Sequence, residues 1–158
     1  MTRPHLDPRL VALVAAGGMV GTGGRYLVST AVHSPDRWPT ATLVENVVGS
    51  FLLGVLLETL LRRGPESHRG RLVRLGLGTG VLGGFTTFSS YAIELERLLA
   101  DGALLAATSY ALASLVGGLA ACLLGVVVAT RHASLRSRRA GGGPGADLRD
   151  DVPGQVRR

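Results

Sequence analysis

The chain has 158 residues, 46% of them hydrophobic and 23 of them glycine, and a formal net charge of +6. The charge excess raises nucleic acid as a partner, but all 17 basic residues are Arg and most flank apolar runs, where they act as topology signals and lipid anchors. No nucleic-acid partner is expected, and the apolar runs point to a lipid bilayer instead.

Residues 1–9 are polar and carry Arg3 and Arg9. The first apolar run, 10–32, is Gly-rich and contains Arg25; it continues through "GTGGRYLVST" without a clear small-residue cleavage site, so a cleavable leader fits it poorly. Gly17 and Gly21 lie four apart on it, a spacing that lets helix backbones approach closely in lipid. "HSPDRWP" (33–39) reads as a short turn, with Trp38 at the headgroup level. The second run, 40–61, holds Glu45, Asn46 and Glu58, and places Thr42 one turn from Asn46 on the same face. A basic connection, "RRGPESHRGR" (62–71), follows.

The third run, 72–99, contains "VLGGFTTFSSYAIELE", where a Gly pair and four hydroxyls (Thr86, Thr87, Ser89, Ser90) interrupt the apolar pattern. Non-helical backbone at membrane depth is tolerated where protein or an ion satisfies it. Carbonyls at such a break, from Gly83 and Thr86, are hard oxygen ligands for a small cation. A cation site and a packing kink explain the break equally well at this point. Phe88 and Tyr91 share a helix face, as an aromatic pair of either core or pore. After a tight "ADG" connection (100–102), the fourth run, 103–130, carries no charge and exceeds the roughly 20 residues that cross a bilayer. Tyr110, Ser114 and Gly118 recur on it at intervals of four, and the lone Cys122 reads as a small packing residue. The tail, 131–158, mixes Arg with Gly and Pro and is expected to be disordered.

The expected architecture is therefore an all-α membrane protein, with four transmembrane helices over 10–130 and a break in the third. An even number of crossings puts both termini and the 62–71 connection on one side. Eleven arginines lie near the membrane there, against Arg37 and Arg97 opposite. This excess assigns the termini to the cytoplasm of a multi-pass plasma-membrane protein. No enzyme is expected. The only Cys lies in an uncharged span, no His lies inside any span, and His5, His33, His68 and His132 show no metal-ligand spacing.

Buried amides and hydroxyls in a bilayer need partners or an aqueous path. Hydroxyls can bond back to their own helix, but the Asn46 amide has two donor hydrogens that cannot be silenced locally. A lining of neutral donors can replace the water around a small anion without trapping it. Aromatic ring edges extend the same effect.

"GGMVGTGGRY" (17–26), "TLVENVVGSFLLG" (42–54) and "GGFTTFSSYAIE" (83–94) resemble the three signatures of the Fluc/CrcB fluoride channels. The likeness spans about 17–125. It implies a four-span antiparallel dimer that passes fluoride out of the cell passively, built around a sodium ion that is not transported. By resemblance, Gly83 and Thr86 supply carbonyls to sodium, and Asn46 is the pore amide. Phe88 and Tyr91 hold the aromatic pore positions, with Ser89 beside them. Thr42, Tyr110 and Ser114 form a polar track, Arg25 is a vestibule residue, and Glu94 is the acidic position after the third motif.

Two departures stand out: Tyr91 replaces the usual Phe, and Glu45 replaces the usual apolar residue before Asn46. Glu45 lies about 100° around the helix from Asn46 and is expected to be neutral or paired with an Arg of a partner subunit. The Arg imbalance favours one insertion direction, so the expected partner is an oppositely oriented homologous subunit. The alternative function is a small-multidrug-type proton-coupled exporter that uses Glu45.

Overall fold

The computed structural model describes residues 7–32 and 38–141, with side chains described to residue 135. Among these residues the regular structure is all helical. Helix α1 spans Pro8–Ala31; Asp7 caps it by accepting from the Arg9 amide at 2.9 Å, and proline stands at its start, where no amide donor is needed. Helix α2 spans Thr40–Leu61. After the connection come α3 (His68–Val73), a π-helical stretch (Arg74–Leu82), and the single turn α4 (Gly83–Phe85). Thr86 and Thr87 are extended, α5 runs over Phe88–Ala100, and α6 over Leu104–Gly141.

Among the described residues three helices are long and apolar enough to cross a bilayer: Pro8–Ala31, Thr40–Leu61 and Leu104–Leu135. With three such helices, this is a multi-pass membrane protein. The remaining expected crossing, 72–99, is not one continuous helix: Thr86 and Thr87 divide it, and the 13 residues of α5 extend only about 20 Å at ~1.5 Å per residue. The tail expectation changes at its near end. Helix α6 continues past Thr130 to Gly141, because "RHASLRSRRA" is rich in helix-forming Arg, Ala and Leu, and cations suit a helix C-terminus. Residues 142–158, with His5 and most of the "HSPDRWP" turn, lie outside the described residues.

Glycine decides which helices meet. Helix α1 lies along the π-helical stretch and α4, and α2 lies along α6. At the first contact, a β-carbon on Gly84 would sit 2.5 Å from the Gly18 carbonyl oxygen and 3.0 Å from its Cα. Gly17 faces Gly76 and Gly80, and Gly21 faces Val81, with equally little room. At the second, Gly54 abuts the Cys122 carbonyl, and Gly125 abuts that of Phe51. Backbone-to-backbone approach of this kind supplies dispersion contact where lipid removes the hydrophobic drive between helices.

The α5–α6 turn follows from Gly102, whose φ is +73°. Its amide donates to the Leu99 carbonyl at 3.0 Å and the Ala103 amide to that of Leu98 at 2.9 Å, which closes α5 with a Schellman motif. The buried cluster at this end is Leu98, Ala107 and Tyr110, with Trp38, Leu43, Tyr91 and Leu95 packed on it. Trp38 joins α6 through an indole N–H bond to Ser109 Oγ at 3.3 Å and an edge contact with the Tyr110 ring.

Candidate ion-conduction site

The site begins with a local competition for hydrogen bonds. In a continuous α-helix the Thr87 amide would donate to the Gly83 carbonyl, four residues back. Here it donates to Asn46 Oδ1 at 2.8 Å, while Asn46 Nδ2 donates to the Thr87 carbonyl at 3.1 Å. One α2 side chain thus satisfies both backbone groups of a buried residue, as a neighbouring strand would. The Gly83 carbonyl loses its helical donor.

The Ser90 amide donates to Thr87 Oγ1 at 3.1 Å, an N-cap that starts α5. That amide is therefore not turned toward the Thr86 carbonyl. Thr86 Oγ1 donates back to the Leu82 carbonyl at 2.9 Å. Gly49, one turn beyond Asn46, leaves room for the Thr86 methyl group.

These residues border one cleft of about 320 Å3, lined by Asn46, Gly49, Ser50, Gly83, Thr86 and Phe88 among others. The structure thus brings four of the sequence-predicted residues together: Asn46, Gly83, Thr86 and Phe88. One Asn46 amide hydrogen is spent on Thr87, which leaves the second for a ligand. Hard oxygen donors suit an alkali cation, and the two carbonyls freed from helical bonding meet that requirement. Phe88 is 80% exposed, with its ring 5.8 Å from that of Tyr91. Ser89 Oγ lies 3.2 Å from Thr87 Oγ1, within the cap.

A second cleft, of about 360 Å3, gathers Arg25, Ser29, Thr42, Glu45, Ser90 and Glu94. Glu94 accepts from Thr42 Oγ1 on one carboxylate oxygen and from the Tyr110 hydroxyl on the other, each at 2.7 Å. Two of the three hydroxyls of the expected polar track are therefore directed at a carboxylate. Tyr91 lies over Tyr110 with ring centres 5.3 Å apart, which turns it toward the buried cluster while Phe88 faces open space. The third track residue differs: Ser114 Oγ is the one buried side-chain polar atom without a hydrogen-bond partner among the described residues. It does not line either of the two clefts.

Glu45 is 1% exposed and accepts from Ser29 Oγ at 2.7 Å, so it has a partner within its own chain. Sequence reasoning passed over four contributors: Ser29, Thr87, Gly49, and Thr22, whose hydroxyl reaches the Gly84 carbonyl at 3.4 Å. For Thr87 a signal existed, since a threonine ahead of a new helical run is a standard N-cap. For the others the partner lies on a different helix.

Comparison with known proteins gives the family of the chain. The family described as "CrcB-like protein, Camphor Resistance (CrcB)" matches residues 12–126. The chain belongs to the CrcB family. A relative from Leifsonia xyli subsp. xyli, called fluoride-specific ion channel FluC 2, is 44% identical over 124 residues, covering 78% of this chain and 86% of its own. FluC proteins of Prosthecochloris aestuarii and Agrobacterium fabrum are 45% and 46% identical over 120 and 121 residues. Each alignment covers 75% of this chain, with 91% and 94% of the respective relative. All three motifs named from the sequence lie inside the family match. As a member of the CrcB family the chain is a transport protein and not an enzyme.

Proposed function

We propose that this CrcB protein is a fluoride-specific channel that lets fluoride leave the cytoplasm passively and so limits its toxicity. The observation that carries the proposal is the Asn46–Thr87 clamp. It holds an extended backbone at membrane depth, keeps one amide hydrogen available, and releases the Gly83 carbonyl, while the Thr87 cap on Ser90 releases that of Thr86. The names of the relatives supply the identity of the ion.

In this proposal the divided segment 68–100 completes a four-crossing bundle, with both termini cytoplasmic by the arginine excess. Fluoride gives up water for the spare Asn46 N–H, the Phe88 ring edge and the Ser114 hydroxyl. These donors are neutral, so none holds the ion as a fixed cation would. Glu94 accepts from Thr42 and Tyr110, which fixes those two side chains beside the path. Arg25 is the vestibule residue, standing in the second cleft where it faces the carboxylates of Glu45 and Glu94.

A structural sodium ion would add a fixed positive charge that binds two protomers through carbonyl oxygens. Gly83 and Thr86 are the residues to hold it. Phe88 is unusually exposed for an aromatic beside such a site, which fits an antiparallel partner covering it. That partner is an oppositely oriented homologous subunit. The exporter reading has less support, because the Glu45 carboxylate is engaged by Ser29 and does not line the Asn46 cleft.

The test is fluoride efflux from vesicles holding this chain, with and without a companion of inverse Arg bias, in sodium and sodium-free buffer. Fast efflux that is independent of a proton gradient, excludes chloride, and requires both companion and sodium is expected. Equal chloride passage would end the fluoride reading, full activity of the chain alone would end the heterodimer, and full activity without sodium would end the cation role.

A further inference from the structure

Where α2 ends and α3 begins, the structure contains a cavity of about 670 Å3 that the ion path does not use. Its volume falls within the roughly 300–1,000 Å3 of small-molecule sites. One wall is apolar and comes from both helices: Leu57, Leu60 and Leu61 on one side, Val73 on the other. Leu61 is 74% exposed and Leu57 is 37% exposed, so this wall opens outward. Arg63 and Arg69 stand on the rim.

The neighbouring charges are already committed. Arg62 Nε bonds Glu58 at 2.5 Å, with Arg62 Nη2 reaching Thr130 at 2.9 Å, and Arg74 bonds Glu66 at 2.7 Å. Both acidic residues near the cavity are thereby paired, while among the described residues no carboxylate is paired with Arg63 or Arg69. The connection between the helices has a set shape. Gly64 sits at φ +86°, Pro65 follows it, and Ser67 caps α3 by accepting from the Gly70 amide at 3.1 Å.

Two unpaired guanidiniums above a greasy wall, at a helix end that borders the bilayer, match one kind of molecule. We infer that this cavity binds an anionic phospholipid, with the phosphate on Arg63 and Arg69 and an acyl chain along Leu57, Leu60, Leu61 and Val73. A planar guanidinium binds phosphate through paired N–H donors, and basic pockets between membrane helices take anionic headgroups. A free phosphate would leave the apolar wall empty, and a neutral lipid would leave the two arginines without a counter-charge. The site lies on the Arg-rich side, so it selects lipid from one leaflet only.

The test uses the full chain reconstituted in equal phosphatidylglycerol and phosphatidylcholine, with retained lipid counted by native mass spectrometry. Phosphatidylglycerol is expected to be retained over phosphatidylcholine. The Arg63→Gln, Arg69→Gln double variant should lower that retention about thirty-fold, roughly a five-fold factor for each arginine near the surface. Val73→Trp, which fills the apolar wall and keeps both arginines, should also abolish it. Arg131→Gln, outside the cavity, should not change it. If the double variant does not fold, Val73→Trp and the unaltered chain decide. Undiminished retention in either cavity variant overturns the inference, as does full displacement of the lipid by millimolar inorganic phosphate. Retention is read without ion flux, so its failure would leave the fluoride proposal untouched.

Discussion

Asn46 and Ser114 illustrate two ways in which a polar side chain persists at membrane depth. The Asn46 amide replaces a missing stretch of hydrogen-bond ladder, and without it the buried Thr87 amide and carbonyl would have no partner. Each orphaned group costs roughly 1–3 kcal/mol. Asn46→Leu, close in volume, should therefore lose both stability and fluoride flux, measured by denaturant titration in detergent and by vesicle efflux. Ser114 is the opposite case, since its hydroxyl bonds nothing in the protomer. Ser114→Ala should leave stability within about 0.5 kcal/mol of the unaltered chain while slowing efflux. A stability loss comparable to that of Asn46→Leu would show that Ser114 has a structural partner instead.

Among elements, the pairing of α1 with the π-helical stretch and α4 depends on missing side chains. A β-carbon at Gly84 would press on the Gly18 backbone, which cannot move as a flexible side chain can. Gly23, on the same helix as Gly18, meets nothing within 4 Å. Gly84→Ala should force the helices apart and lower the thermal midpoint. Gly23→Ala should raise it, because alanine is better than glycine in a helix by about 1 kcal/mol. Melting curves of the two variants under identical detergent conditions check the contrast, and an equal response in both would refute close packing as the cause. Within the π-helical stretch the glycines divide between two neighbours: Gly76 and Gly80 face Leu13 and Gly17 of α1, and Gly78 faces Leu56 of α2.

At the scale of the molecule, charge is partitioned between the ends of the bundle and its interior. The surface pair Glu66–Arg74 ties the 62–71 connection to the start of the third segment. The Arg74 hydrogen bond holds the Glu66 carboxyl below its ordinary range, so this pair stabilises the fold above the unfolded carboxylate pKa. The contribution is lost as the pH falls through the lowered folded-state value. The gap between the unaltered chain and Glu66→Gln should thus be open at about pH 6 and shrink as the pH falls below the ordinary carboxylate range. Thermal midpoints across that range check it; a gap that widened toward acid would reverse the sign. Both side chains are close to half exposed, and solvent screening keeps the effect small.

The helices, their approximate limits and the disruption at 83–90 were legible in the sequence, because lipid leaves backbone groups few ways to be satisfied. Runs of apolar residues and Gly punctuation are local signals, and they marked α1, α2 and most of α6, while the Thr87 cap that starts α5 was a local signal left unread. The π-helical winding and the extension of α6 to Gly141 were missed, since each sets a weak local preference against a nearby packing surface or a helix end. For the site, the sequence named Asn46, Gly83, Thr86 and Phe88, which share one cleft. It did not reveal that Asn46 spends a donor on Thr87, that Thr42 and Tyr110 both point at Glu94, or that Ser29 answers Glu45. Those bonds join residues on different helices, so their distances exist only once the helices have packed. The sequence by itself determined which runs are apolar enough to enter a membrane and which polar groups among them need partners; the tertiary structure alone decided which group partners which, and hence which are left without one.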